Sequence, residues 1–290
     1  MGRTATTTIE QIDLLKNRGM ILDMEVEKVK EILHDIGYYR LGFYWHPFEK
    51  DKNHNFIEGT KFSSIVDLYY LDVDLRYLLI RALNRIEINF RTNVVYYVSN
   101  TYKHSPTWFI DSSVVEQDFI NNIGSQYNEK FKKQNKVIQS HHNKYINDKF
   151  APAWKTLEFF TFGSMLKLYS SLKSEDLQNK ISLKYGVKNI DKFKNLINTI
   201  VYVRNACAHG GVIFDLKTPK GISQLPHFKF NNGNRHSLDT TIRVISFFLN
   251  QISNNRKNEL DKEIELLFNS HRENNEIKTI IEEKIGYSYI

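Results

Sequence analysis

The chain has 290 residues, a single cysteine and a net charge of +7, from 40 Lys and Arg against 33 Asp and Glu. This length supports a core without staples, and one Cys excludes both an intramolecular disulfide framework and a cysteine-based zinc cluster, which fits a reducing compartment, the cytoplasm by default. No apolar run reaches the roughly 18 residues of a membrane span, and MGRTATTTIEQ lacks the apolar stretch of a signal peptide, so no membrane segment is expected. The excess of positive charge favours polyanionic partners, RNA or DNA, through counterion release. Met1-Gly2 through Thr6 fits a myristoylation pattern too loose to carry weight.

In chain order, Asp23 stands where an N-cap would open a helix with Val26, Val29, Ile32 and Leu33 on its apolar face and Gly37 at its C′ position. The aromatic run YYRLGFYWHPF (38–48) reads as a short extended piece, as does GVIFDL (211–216). Residues 62–102 contain neither Gly nor Pro. Ile65, Leu68, Leu75, Leu79, Ile86, Phe90 and Val94 give that stretch the core-facing stripe of one long helix, with Arg76, Arg85 and Arg91 off the stripe. Beyond Pro106 the texture changes, and residues 121–149, rich in Asn, Lys, Gln and His, read as an exposed polar helix or loop. The adjacent His141 and His142 diverge on a helix and lack a third ligand, so they read as solvated rather than metal-binding.

Helical periodicity returns over residues 154–172, where PAW places a proline near the helix start, and again over 190–207 and 237–252. The stretch NELDKEIELLFNSHRENNEIKTIIEEK is amphipathic and highly charged, suited to capping the core or meeting a partner. The pattern predicts an all-α fold. Its expected organisation is an N-terminal helical and aromatic segment (1–60) packed on a helical core (61–252), with a polar basic insertion near 106–150 and a C-terminal helical extension (253–290). There is no phosphate-binding glycine loop and no cluster of Cys, His or carboxylates at metal-ligand spacing, so neither cofactor nor metal is expected.

Arginine followed after four to six residues by histidine is a pattern that one helical class of ribonucleases uses. With 12 Arg and 10 His in the chain, chance supplies roughly one such match, and two occur: Arg40 to His46 and Arg204 to His209. His46 sits among aromatic residues and precedes Pro47, which points to packing. The stretch YVRNACAHGG (202–211) differs, because Asn205 adds a hydrogen-bonding group, Ala206, Cys207 and Ala208 are small, and Gly210-Gly211 permits the close approach of another chain, as on a cleft floor. Cys207 itself reads as a small buried thiol rather than a nucleophile. On a straight helix Arg204 and His209 point about 140° apart while Asn205 and His209 share a face, so convergence needs either a kink or two copies around a two-fold axis. The plain alternative is that Arg204 pairs with an acid on the long helix, such as Glu87, and His209 merely ends a helix.

Four stretches in order, IGYYRLGFYWHPFEK (36–50), LYYLDVDLRYLLIRALNRIEINFRT (68–92), PAWKTLEFFTFGSMLKLYSSL (152–172) and VRNACAHGG (203–211), resemble the Abi-like family of abortive-infection phage-defence proteins, the AbiD/AbiF type, within the HEPN superfamily. The family's Arg-Asn-x-Cys-Ala-His pattern falls on Arg204, Asn205, Cys207, Ala208 and His209, with Gly210-Gly211 following where the family commonly carries a polar residue. The resemblance implies a HEPN-type bundle, usually a homodimer, that cleaves RNA without a metal and acts as a toxin, held in check in some members by an antitoxin or a structured small RNA.

The residue types fit attack of a ribose 2′-hydroxyl on its own 3′-phosphate, with His209 moving the proton, Arg204 holding the phosphoryl oxygens and Asn205 orienting His209 or the phosphate. Glu87, Arg91 and Glu158 are candidates to support the site from behind. The competing expectation is a catalytically inactive RNA-binding or protein-interaction module.

Overall fold

The computed structural model describes residues 4–226 and 229–289, the side chain of Asn232 excepted, so Gly2 of the loose lipidation pattern lies outside the described residues. Fourteen α-helices run through them in the order α1 (Thr8–Asn17), α2 (Val26–Asp35), α3 (Tyr38–Trp45), α4 (Phe62–Thr101), α5 (Gln117–Gln126), α6 (Glu129–Gln134), α7 (Lys136–Lys144), α8 (Ala153–Thr156), α9 (Phe162–Ser170), α10 (Glu175–Leu183), α11 (Ile190–Ala208), α12 (Leu238–Ile252), α13 (Asn254–Asn269) and α14 (Asn275–Ile280). Only isolated β-bridges occur among the described residues, which makes the fold all-α.

The uninterrupted residues 62–102 form one 40-residue helix, and α4 is the axis on which α3 and α8 to α14 pack. Phe90 is fully buried on α4 and meets the rings of Phe162, Tyr169 and Phe193 at centroid distances of 5.8, 5.7 and 6.1 Å, tying α9 and α11 to the axis. A Phe-to-Ala truncation at such a position typically costs about 3–5 kcal/mol. The core is continuous, from Ile12 through Trp45 and Leu83 to Phe268. The charged C-terminal stretch joins it: α13 lays Leu260, Ile264 and Phe268 against α12 and α4, so its apolar face caps the bundle.

Several local expectations change. The aromatic run 38–48 is helical: Gly37 turns the chain with φ 91°, and α3 then buries Leu41, Tyr44 and Trp45, burial overriding the extended preference of aromatic residues. Asp23 does not cap α2. Its carboxylate instead accepts from Ser63 N (3.1 Å) and Ser63 Oγ (2.5 Å), supplying the first turn of α4 with the cap that Lys61 lacks. Residues 154–172 split into α8, a 3₁₀ turn and α9, because Thr161 accepts from Ser164 N and starts a new helix. Arg76 and Arg91 are buried rather than off the core, whereas Arg85 is exposed.

The polar insertion folds as α5, α6 and α7 over Phe119, Ile123, Tyr127 and Ile138. Its two histidines are not solvated. His141 is buried and pairs with Asp148 at 3.0 Å, and the His142 ring lies 2.7 Å from Tyr127 Oη.

Candidate active site

The last turn of α11 carries the Arg-Asn-x-Cys-Ala-His stretch. Its i to i−4 ladder continues to His209, whose N–H reaches Asn205 O at 3.0 Å, so the helix does not kink. The helix then ends as a Schellman motif: Gly210 N donates to Cys207 O (3.3 Å), Gly211 N donates to Ala206 O (2.8 Å), and Gly210 adopts φ +65°. The glycine pair therefore serves this exit turn; a Cβ on Gly211 would meet Ala206 O at 3.0 Å. Nor is the strip a cleft floor within one chain. Asn205, Ala208 and His209 are exposed, Arg204 is half-buried, and a groove of ≈ 670 Å³ lies elsewhere, between α12 and α13.

Behind the strip, the supporting acids and Arg91 do come together with Arg204. Glu87, buried on α4, places Oε2 2.9 Å from Arg204 Nε and Oε1 2.9 Å from Arg91 Nη2. Arg91 also donates to Phe160 O at 3.0 Å and lies 3.9 Å from the exposed Glu158. Glu87 thus forms an ion pair with the Nε side of the Arg204 guanidinium, and the side chain keeps 27 % of its surface exposed. Asn205 Oδ1 accepts from Arg204 Nη1 at 3.4 Å, and no contact joins Asn205's side chain to the His209 imidazole among the described residues. Among the described residues the His209 imidazole has no hydrogen-bond or ion-pair partner.

A second set of groups, with Tyr44, Asp72 and Arg76 buried and Arg40 half-buried, holds the turn after His209. Arg40 Nη2 donates to Gly210 O at 2.5 Å and Arg76 Nη1 donates to Gly211 O at 3.0 Å. Asp72 Oδ1 accepts from the backbone N–H groups of Ile213 (2.8 Å) and Phe214 (2.7 Å), while Oδ2 accepts from Tyr44 Oη (2.9 Å) and lies 3.7 Å from Arg76 Nε. Burial pushes the Asp72 carboxyl above its ordinary value, against the hydrogen bonds that favour its anion. The Tyr44 hydroxyl is raised too, chiefly by burial and next by Asp72, and stays a donor. Sequence reasoning missed this clamp. Its one signal was Asp72 and Arg76, an acid and a base at i, i+4 spacing inside an otherwise apolar helix.

Residues 31–215 match the family described as Abi-like protein. The chain belongs to the Abi-like family. That membership points to a role in abortive infection, and the match takes in the whole cluster, from Arg40 through Asp72, Glu87, Arg91 and Glu158 to His209, while α12 to α14 lie beyond it. No curated protein and no solved structure matches the chain.

Elsewhere in this Abi-like chain, Cys207 is buried and its thiol is pushed up to about 12 by desolvation, next by Asp72, which makes it a packing group. His46 is not packed among the aromatic residues: its side chain is 81 % exposed, with Nδ1 2.9 Å from Glu49 Oε2. Among the described residues no helix is long and apolar enough to cross a membrane.

Proposed function

We propose that this Abi-like chain is a HEPN-type endoribonuclease and the toxin of an abortive-infection system. The observation that carries the reading is that buried Glu87 anchors Arg204 from behind while a neighbouring His209, on a clamped turn, keeps an exposed and unpartnered imidazole. Such a pair suits transesterification. The ribose 2′-hydroxyl loses its proton and attacks the adjacent 3′-phosphate, the 5′-oxygen leaves with a proton, and the products carry a 2′,3′-cyclic phosphate and a 5′-hydroxyl. His209 moves a proton, worth about 10²- to 10⁴-fold, and the Nη side of Arg204 meets the charge that builds on the phosphoryl oxygens. DNA has no 2′-hydroxyl and is not a substrate.

An unkinked helix leaves Arg204 and His209 about 140° apart, so the reading places two copies around a two-fold axis, each contributing to a composite site. Mixing an inactive Arg204→Ala chain with an inactive His209→Ala chain restores part of the activity on this arrangement; full activity from a strict monomer excludes it. The reading carries with it a cytoplasmic location and restraint by an antitoxin protein or structured small RNA. Because His209 and Arg204 supply the chemistry, cleavage of a mixed RNA pool is expected to persist in EDTA and to leave cyclic phosphate ends. Activity abolished by EDTA and restored by Mg²⁺ or Mn²⁺ overturns the mechanism.

The second reading, an inactive RNA-binding or protein-interaction module, draws on the Arg204–Glu87 pair, which is also what a purely structural arginine would make.

A further inference from the structure

The excess positive charge is not spread evenly. Residues 128–155 hold seven lysines against Glu129 and Asp148, a local excess of +5 in a chain whose total is +7. Only Lys132 among these lysines has a carboxylate within ion-pair distance in the described residues, at Glu129; Lys130, Lys133 and Lys136 stand exposed without one. Unpaired lysines concentrated on one segment are an electrostatic footprint for a phosphate backbone.

The position of that segment matters as much as its charge. Phe131 on α6 packs against Phe159 and Phe160, at ring-centroid distances of 6.4 and 6.1 Å, and Phe160 O is the carbonyl that Arg91 holds beside Glu87 and Arg204. The insertion is thus bolted to the supporting side of the candidate site. At its other end α7 packs on α8, which presents Trp154 with 54 % of its surface exposed; Phe159 follows at 37 %. Both rings have π-faces that any unstacked base can use, whereas a duplex keeps its bases stacked inside.

We propose that this face, with Lys130, Lys133 and Lys136 for phosphates and Trp154 for a stacked base, is the platform that binds single-stranded RNA and leads it to Arg204 and His209. The inference rests on the RNA reading of the site above and assigns its substrate form: unpaired strands, gripped without base-specific hydrogen bonds. Glu158, exposed between the platform and Arg91, repels a phosphate at that point and so marks an edge of the track.

The test measures binding apart from cleavage. The full chain carrying His209→Ala is titrated against a fluorescein-labelled, unstructured single-stranded RNA and against a duplex of equal length, over a series of salt concentrations. Adding Lys130→Gln, Lys133→Gln and Lys136→Gln together is expected to weaken single-strand binding at least about ten-fold at low salt. It also lowers the log–log salt slope by about 2, three phosphate contacts at roughly 0.7 each. Adding Trp154→Ala alone weakens it on the order of ten-fold and leaves the slope unchanged, because stacking releases no counterions. All four residues are exposed or nearly so, and matched thermal unfolding of the variants shows that their folds are intact. Parent-like affinity in both variants overturns the platform, as does a duplex bound as tightly as the single strand, or polyglutamate bound more tightly than RNA.

The two proposals can fail separately. RNA held through these lysines but never cut by the chain with His209 intact removes the nuclease and leaves the platform. Normal cleavage with an unchanged KM after lysine loss removes the platform and leaves the nuclease.

Discussion

Two segments of this molecule carry an arginine followed four to six residues later by a histidine, and they are put to opposite uses. In the first, Arg40 donates to Gly210 O and His46 pairs with Glu49 on the surface, so both groups are already engaged by the protein. In the second, Arg204 pairs with Glu87 at Nε and reaches Asn205 from Nη1 only at 3.4 Å, staying 27 % exposed, and His209 is exposed with no partner among the described residues. Spacing alone could not separate the two. What separates them is which polar atoms the fold leaves unused, and an unused polar group on a rigid support is what a substrate needs. The first segment also serves the second, since Arg40 helps fix the turn on which His209 sits.

The sharpest way to break this comparison is His209→Ala. Cleavage is expected to fall about 10²- to 10⁴-fold with RNA affinity retained, the loss of a general acid or base; single-turnover rates and filter binding on the same preparation read both quantities. Parent-like cleavage would leave the unpartnered imidazole without a role. Next comes Arg204. Arg204→Lys is expected to lose nearly as much as Arg204→Ala, on the order of 10²-fold, because an ammonium cannot hold Glu87 on one edge and a phosphate on the other. A lysine variant at near-parent rate would mean that charge alone matters and that the Glu87 anchor is incidental.

How much of this was legible beforehand depends on where the partners lie. Helix α4 could be read because its period and its lack of Gly and Pro are local facts. So could α12, whose Ser237 cap accepts from Thr240 N. Arg204, Glu87, Arg91 and Glu158 were each nameable as candidates from the sequence. Their assembly through Glu87 was visible only as an alternative, because it joins helices more than a hundred residues apart. The clamp was not legible: Asp72 finds Ile213 N and Phe214 N only after the chain returns, and Arg40 finds Gly210 O across 170 positions. Helix α3 was misread for the same reason. Its aromatic residues favour strands locally, and only the burial of Leu41, Tyr44 and Trp45 makes a helix the better solution. Helix α1, by contrast, had a local signature that went unread, the Thr7–Glu10 capping box.

The clamp offers a third, smaller test. Asp72→Ala strands two backbone N–H groups, the Tyr44 hydroxyl and Arg76, and is expected to cost about 3–5 kcal/mol of stability, the range for breaking a buried pair. Asp72→Asn keeps an acceptor for the N–H groups and should lose less. Its pH signature is distinct. With the folded-state pKa above the unfolded one, the folded chain holds a proton that the unfolded chain has released at pH values between the two, so stability falls as pH rises from the ordinary Asp value through the folded one. Asp72→Asn removes that decline. Urea midpoints across this range check it, and an unchanged slope would show that Asp72 does not titrate abnormally.

The smallest expected effect completes the comparison. His46→Ala removes an imidazole 2.9 Å from Glu49 Oε2, but the same carboxylate also meets His54 Nδ1 through Oε1 at 3.0 Å, so Glu49 keeps a partner. The His46 side chain is 81 % exposed, and a pair of that kind is worth about 0–1 kcal/mol. His46 lines a shallow pocket beside Val212 and Phe214, but the contact that fixes the turn at Gly210 comes from Arg40, earlier in α3. The variant should therefore cleave RNA at the parent rate and unfold within about 1 kcal/mol of the parent. If His46→Ala instead lowered cleavage as far as His209→Ala while the melting curve stayed in place, the rule that assigns function to the unpartnered histidine would be wrong for this molecule. The site would then have to be sought where α3 faces solvent.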